Sequence, residues 1–487
     1  MMNFAAISTE IFILCLGLFA IVMDLVLPEG ESRQSIGGVL IFSLAGWFLY
    51  MFTLYHGAIN PLEPASMAAL TDRFFYQGLY LVDNYALFFK QLFILATVFT
   101  LLFASDYVQA VLRYKGEFYA LLLLALLGMC VLASATDFLT AFLGLELMTI
   151  SFYVLTGARM GARDSSEAAV KYLIVGSVST AVLLYGISLV YGATGSIQFF
   201  EVCRSPHLFF PLGIAGITLV LIGFFFKLSV IPFHMWAPDV YQGAPAPITA
   251  MLAMGSKAAG LAAMMRVLFV AFPMLGLYWL PLLAVLCALC MILGNIMAMR
   301  QKDVKRMLAY SSIAQAGYML VGVVAADGAG LKAVMFYAML YVFANAGAFA
   351  ALSAVEAQKG STSHRALSGL AQSAPVLAAV MTISLLSMAG IPPTAGFAGK
   401  LYLFTAVVDQ GFLWLAFVGF VMSMISVYYY LLVAKAMYLG RWDGSKLEIS
   451  GAVRAAVVLS VLVTVVVGVW PEKLAELTNL AANTFLQ

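Results

Sequence analysis

Residues 226–247 read FKLSVIPFHMWAPDVYQGAPAP. Lys227 closes an apolar run that begins at Pro211, and Pro232 follows five residues later. A proline inside a helix removes a backbone donor and clashes with the preceding turn, so the helix carrying Lys227 ends or breaks here. The surroundings make that break informative. The chain has 487 residues, of which 64% are hydrophobic and 10% charged, with a mean hydropathy of +1.01. A soluble protein carries about 25% charged residues, so a soluble enzyme is excluded. The apolar residues come in long runs, which fits an all-α polytopic membrane protein and not an outer-membrane barrel. A helix broken at membrane depth survives only where it is buried in protein or lines a hydrated cavity.

Reading about 20 apolar residues per crossing gives about fourteen spans. Their cores are 8–27, 36–56, 84–105, 117–134, 138–157, 166–193, 208–231, 246–271, 276–299, 304–325, 331–355, 374–407, 411–439 and 451–470. The first, with Glu10 at its start and no basic segment before it, reads as a retained span and not a cleaved signal. With the N-terminus outside, sixteen of the 25 Lys and Arg residues fall in inside loops or adjoining helix ends. Arg300, Lys302, Lys305 and Arg306 form the densest group, and only Arg73, Arg204, Lys332 and Lys473 fall outside. This bias fixes the orientation and leaves both termini on the outer side. Lys90 and Arg266 are expected to snorkel toward the outer interface. The five cysteines are scattered; Cys287 and Cys290 share one apolar span and read as buried thiols, not a zinc or cluster site. A net charge of +2 gives no reason to expect a nucleic-acid partner.

Three lysines cannot reach an interface: Lys227, Lys257 and Lys400. Helical rise places Glu146 about 13 Å beyond Asp137, Lys257 about 15 Å beyond Pro247, and Lys400 nine residues before Asp409, all near mid-depth. An isolated charge there costs about 2.5–3.5 kcal/mol or more. A Glu146–Lys227 salt bridge that fixes packing is one explanation; a relay of titrating groups that moves protons is the other, and it accounts for all four together. Lys400 also follows a break, Gly390-Ile-Pro-Pro-Thr-Ala-Gly396, and broken helices are the usual place for ion sites in transporters. The motif Gly223-Phe224-x-x-Lys227-Leu228 recurs as Gly396-Phe397-x-x-Lys400-Leu401, five spans apart and so in the opposite direction. This predicts two inverted five-helix repeats with broken spans 7 and 12. The domains are then 1–116 (spans 1–3), 117–271 (spans 4–8), 272–440 (spans 9–13) and 441–487 (span 14).

Secondary candidates surround these four. Lys171 and Glu167, four residues apart, read equally as a helical ion pair and as a cytoplasmic feed for protons. His234 suits a water-mediated bridge between Lys227 and Lys257, or a capping or packing role. Asp239 is expected to satisfy loop amides. Tyr310, Ser311, Ser312 and Gln315 offer groups for a water chain or for polar helix–helix contacts.

The 226–247 stretch resembles the span 7–8 signature of the antiporter-like subunits of respiratory complex I, which are related to Mrp-type cation/proton antiporters. Tyr310-Ser-Ser-Ile-Ala-Gln-Ala-Gly-Tyr318 belongs to the same resemblance, which covers essentially the whole chain. The form Asp239-Val-Tyr-Gln-Gly-Ala-Pro245, the absence of a long C-terminal extension, and lysine rather than glutamate at position 400 resemble one branch of that family. The resemblance implies a proton channel. Glu146 would pair with Lys227, Lys257 would connect the half-channels, and Lys400 would serve the second, with Lys171 and His234 in supporting positions. Relatives often have histidine where this chain has Gln315, so water would have to serve there. The resemblance further implies no cofactor in this chain; NADH, FMN, iron–sulfur clusters and quinone would reside in partner subunits. The partners would be the antiporter-like neighbour M, the small subunits K and J, and the lipid bilayer of a bacterial inner membrane.

Three rival readings stand beside this translocase. A cation/proton antiporter component needs Na⁺ or K⁺ coordination, for which lysines are poor ligands. A scaffold keeps its buried charges for packing alone. The membrane subunit of an energy-converting hydrogenase differs only in its electron-input partners. The charge distribution yields a direct test of orientation. In a background lacking the native cysteines, a membrane-impermeant thiol reagent should label Lys302→Cys only from the cytoplasmic side and Lys332→Cys only from the periplasmic side. The reverse pattern would invert the assignment.

Overall fold

The computed structural model describes residues 4, 6–28, 33–58, 74–442, 444 and 446–486; Arg73 lies outside them. Polar N-caps punctuate the apolar runs. Asp83 opens α3 (Asn84–Val111), Asp137 opens α5 (Phe138–Thr156), Asp303 opens α13 (Val304–Ala325) and Asp327 opens α14 (Gly328–Lys359). Each accepts hydrogen bonds from first-turn amides that would otherwise be orphaned in a region poor in water. Before α3 come α1 (Ser8–Val26), α2 (Gln34–Ala58) and a short hairpin of β1 (Phe74–Phe75) and β2 (Tyr80–Leu81).

The first half continues with α4 (Lys115–Ser134), α6 (Arg163–Thr194), the short α7 (Phe199–Arg204) and α8 (Pro211–Leu228). The short α9 (Trp236–Gly243) follows the break, and a continuous run comprises α10 (Ala246–Met251), a π segment, α11 (Lys257–Arg266) and a second π segment. The second half comprises α12 (Gly276–Ala298), α13, α14, the short α15 (Leu370–Ser373), α16 (Pro375–Ala389), α17 (Ala395–Asp409) and α18 (Leu413–Leu439). The chain closes with α19 (Gly451–Val469) and α20 (Glu472–Leu486). Among the described residues thirteen helices are long and apolar enough to cross a membrane. The expected twelfth span is built from two short halves, α16 and α17, separated at residues 390–394.

Small residues bring the helices close. A Cβ on Gly128 would meet the Met148 backbone nitrogen at 2.5 Å, and one on Gly144 would meet the Leu132 nitrogen at 2.8 Å. This mutual crossing sets α5, and so Glu146, hard against α4. Lipid tails give helices no hydrophobic reason to associate, so such backbone contact is what holds the pair. The most enclosed spans are 246–271, α13 and α14, fully surrounded by other helices. Most of the buried polar side chains described below lie on or against them.

Three features depart from the sequence expectations. Lys90 and Arg266 do not snorkel: both are buried and paired within the protein. Lys90 Nζ lies 2.8 Å from Glu10 and donates to the Tyr80 hydroxyl at 2.6 Å. Arg266 makes a two-pronged contact with Asp83 (3.0 and 3.1 Å) and donates to the Ala133 carbonyl. Local pairing is available where a long reach to water is blocked by packed helices. Second, α20 lies beyond the last expected span. Its Glu472, Lys473 and Glu476 are exposed while Ala475, Thr478, Ala481 and Ala482 are buried, so it is amphipathic and too polar to register as a crossing. Third, Lys305, read as an interfacial anchor, is buried. It donates to Glu356 at 2.6 Å and to the Ala244 carbonyl at 2.7 Å. Glu356 also meets Arg159 at 3.3 Å and accepts from the Ala246 amide at 2.8 Å.

Glu356 thus fastens the start of the 246–271 run to α13 and α14. Removing one partner of a buried ion pair leaves an uncompensated charge, at a cost of about 3–5 kcal/mol. Glu356→Gln should lower the thermal midpoint of the detergent-solubilised protein accordingly, whereas Glu476→Gln, on an exposed pair, should leave it within error. Equal midpoints for the two variants would remove Glu356 from this role.

Candidate functional site

The face bearing residues 300–306 holds a cleft of about 180 Å³ lined by Asp164, Glu167, Lys171, Asp239, Gln242 and Arg306. Lys171 contacts Glu167 at 2.9 Å, as the spacing predicts, and also Asp239 at 2.8 Å. Asp239 therefore does not serve loop amides; it binds the side chains of Lys171 and Arg306, the latter at 2.6 Å. Burial raises the Asp239 carboxyl, but hydrogen bonds and charge from Lys171 and Arg306 outweigh it and hold the group below its usual range. The cleft is an open, charged pocket.

Tyr172, next in sequence to Lys171, is buried and stacks on Trp236 with ring centroids 4.6 Å apart. Trp236 donates to the Phe226 carbonyl at 2.9 Å, which ties α9 back to the last turn of α8. That turn ends because Ser229 takes a left-handed conformation (φ 58°), and the amides of Ser229 and Val230 close onto Phe226 and Phe225. Lys227 thus sits at a helix C-terminus, where the backbone dipole favours a cation. Its Nζ donates to Thr149 Oγ1 at 2.8 Å and to the Tyr172 hydroxyl at 3.3 Å.

No ion pair joins Lys227 to Glu146. Glu146, three residues before Thr149 on α5, instead accepts from Thr180 Oγ1 at 2.8 Å. A small void of about 10 Å³ beside Lys227 is lined by Thr149, Tyr153 and Thr180 among others. That is close to the space one water needs. The Tyr153 hydroxyl is buried with no partner, so the void has a polar group waiting for one.

Lys257 lies across from Lys227. A Cβ on Gly260 would meet Lys227 Cγ at 3.2 Å, so the missing side chain lets α11 approach α8 closely. Lys257 Nζ donates to the carbonyl and the hydroxyl of Ser312 at 2.7 and 2.8 Å. His234 joins neither lysine: its ring is half-buried and its Nδ1 has no partner.

From Ser312 a polar string continues. Ser311 bonds the Tyr430 hydroxyl, and Tyr430 lies beside Gln315. Gln315 accepts from Tyr337 at 2.5 Å and donates to the Met388 carbonyl at 3.0 Å. That carbonyl also accepts from Lys400 Nζ at 2.9 Å. Lys400 donates further to the Ala389 carbonyl (3.1 Å) and Ser423 (2.8 Å), and lies 4.3 Å from the Tyr318 ring centroid. The break between α16 and α17 explains the geometry. Ending α16 at Ala389 frees its last carbonyls, and Lys400 solvates itself on them.

Lys227, Lys257 and Lys400 are all buried, and among the described residues no carboxylate lies within ion-pair distance of any of them. Tyr310 is buried beside this string with no side-chain bond of its own. Sequence reasoning missed Thr149, Thr180, Tyr172, Tyr337, Ser423 and Tyr430. The triplet Tyr428-Tyr429-Tyr430 in the middle of an apolar span was a readable signal; the single hydroxyls were not.

The chain matches the family described as NADH:quinone oxidoreductase/Mrp antiporter, transmembrane, over residues 135–426. It is 46% identical to NADH-quinone oxidoreductase subunit N of Desulfitobacterium hafniense, with 100% of both chains covered. It is also 46% identical to the subunit N of Heliobacterium modesticaldum, over 99% of this chain and 100% of that one. Its fold is similar to a chain of respiratory complex I from Thermus thermophilus, with a TM-score of 0.80, 33% identity, and 97% and 99% of the chains covered. A chain of the Mrp complex from Dietzia has the same fold (TM-score 0.84, 23% identity, 100% and 98% covered). A family match across most of the chain, with identity sustained from end to end, places it in the NADH:quinone oxidoreductase/Mrp antiporter membrane family.

Proposed function

We propose that this chain is a proton-translocating membrane-arm subunit of a bacterial NADH:quinone oxidoreductase, of the subunit N type. Electron transfer from NADH to quinone occurs in partner subunits, which hold the FMN, the iron–sulfur clusters and the quinone. Antiporter-like subunit M and the small subunits K and J are its neighbours in the arm. The protein is a multi-pass protein of the bacterial inner membrane with both termini periplasmic. The observation that carries the reading is the buried polar string: Lys257 bonds Ser312, its sequence neighbour Ser311 bonds Tyr430 beside Gln315, and Gln315 and Lys400 both donate to the Met388 carbonyl.

Protons enter through the Lys171 cleft and reach Lys227 past Tyr172. Lys227 and Thr180, the hydroxyl that holds Glu146, line one water-sized void, so a small approach by Glu146 favours the ammonium and a retreat favours the neutral amine. Lys227 is thereby loaded and unloaded. A proton released there passes to Lys257 and along hydroxyl groups, each of which both donates and accepts, toward Lys400. Like charges in a low-dielectric interior repel strongly, so a proton on one lysine opposes a proton on the next, and occupation proceeds in sequence. Each proton moved outward works against about 2.3 kcal/mol per 100 mV. That energy arrives from the partner subunits.

The four domains are read as 1–116, 117–271, 272–440 and 441–487, the middle two being inverted repeats. Supporting this, the two matching motifs each place a lysine beside a helix break: Lys227 ends α8, and Lys400 follows the gap between α16 and α17. The full-length likeness to subunits named for NADH-quinone oxidoreductase favours this reading over an antiporter component.

Lys400→Met in the assembled complex should reduce proton pumping into everted vesicles by at least about a hundredfold, with normal amounts of assembled complex. Undiminished pumping would return Lys400 to a packing role. Gln315→Leu removes the link between Tyr337 and Met388. It should slow pumping several-fold, and Gln315→His should restore it; a fully active Gln315→Leu complex would remove this residue from the path.

A further inference from the structure

A groove of about 180 Å³ lies away from the lysine string, on the face opposite residues 300–306. Three helices build it, α19 running opposite to α3 and α14, with residue pairs four apart that stack on one helix face: Gln91 and Leu95 on α3, Met339 and Phe343 on α14, and Val463 and Val467 on α19. Phe48 of α2, Phe88 of α3, and Leu474 and Leu477 of α20 complete it. Its upper end is near the surface, because Val467 is two residues from the end of α19 and α20 exposes Lys473 and Glu476. Its lower end is deep. Leu95 and Phe343 lie eleven and fifteen residues from the starts of their helices, or about 16–22 Å along the axis. The groove therefore runs along the membrane normal through about one leaflet of a ~30 Å hydrocarbon core. Leu49, Leu462 and Val466, adjacent in sequence to its lining residues, are exposed apolar groups, so its rim faces lipid.

One lining residue does not suit an empty apolar slot. Gln91 is 93% buried, and its amide nitrogen is screened from solvent without any hydrogen-bond partner. An unmet amide donor in hydrocarbon is costly, and the last torsion of glutamine is soft enough to turn the group toward the groove. We propose that the groove binds one acyl chain of a glycerophospholipid, with its ester carbonyl accepting from Gln91. The length, depth and apolar walls suit a fatty chain, and the single polar group lies toward the surface end, where an ester sits. At about 180 Å³ the space exceeds the ~150 Å³ of a protein cavity that holds benzene. This site does not depend on the proton path.

The test uses the full-length chain in detergent, loaded with a mixture of diacyl and ether-linked dialkyl phosphatidylglycerol of equal chain length. Retained lipids are counted by native mass spectrometry. The dialkyl lipid lacks the carbonyl, so the wild type should retain diacyl lipid about fivefold better, the worth of one hydrogen bond. Gln91→Leu should abolish that preference while keeping a bound chain, and Val463→Trp, which fills the groove, should lower the count by one lipid. A wild type indifferent to the ester, a preference surviving in Gln91→Leu, or an unchanged count in Val463→Trp would each overturn the proposal. Displacement of the lipid by a menaquinone added at equal concentration would overturn it in favour of a quinone.

Discussion

A buried ammonium group must be solvated by protein, because hydrocarbon offers it nothing. The arrangement around the lysine string follows from that constraint. Lys400 is held on two carbonyls and a hydroxyl, Lys257 on a carbonyl and a hydroxyl, and Lys227 on two hydroxyls. None of these acceptors carries a formal charge. Helix breaks are the device that supplies neutral oxygens, since a helix that ends early exposes carbonyls its own backbone cannot use.

The same chain shows the opposite solution nearby. Lys90 with Glu10, Arg266 with Asp83, and Lys305 with Glu356 are buried pairs of full charges. These groups fasten helix ends: Asp83 caps α3, and Glu356 accepts from the first amide of the 246–271 run. The contrast separates two uses of buried charge within one fold. Carboxylate-paired cations fasten helices, whereas the lysines beside breaks and hydroxyls have no carboxylate partner among the described residues. Glu146 belongs to neither group. It is partly exposed, held by Thr180, and makes no ion pair with Lys227.

Packing makes this economy workable. Gly128 and Gly144 let α4 and α5 meet backbone to backbone, and Gly260 lets α11 close on the stem of Lys227. With bulky residues at these positions the polar groups would stand several ångströms apart, and hydroxyl-to-hydroxyl transfer would need water throughout. The fully enclosed spans 246–271, α13 and α14 carry much of the polar string, and α16, α17 and α18 complete it.

By itself the sequence determined the approximate number and positions of the apolar spans and the prolines where α8 ends and α16 gives way to α17, and it singled out Lys227, Lys257 and Lys400, which are buried. These follow from composition, proline chemistry and helical rise, all local quantities. It also singled out Ser311, Ser312 and Gln315, which lie on one continuous helix. It could not say which residues from distant spans would face them. Tyr430 is 119 positions from Ser311, and Tyr172 is 55 from Lys227. Lone hydroxyls leave no periodic trace in an apolar run. For the same reason the sequence misjudged Lys90 and Arg266: snorkelling and burial look alike until the partner, Glu10 or Asp83, is brought alongside. Only the tertiary structure decided which charges are neutralised and which are left on neutral oxygen, because that depends on distances between helices and not on position along any one of them.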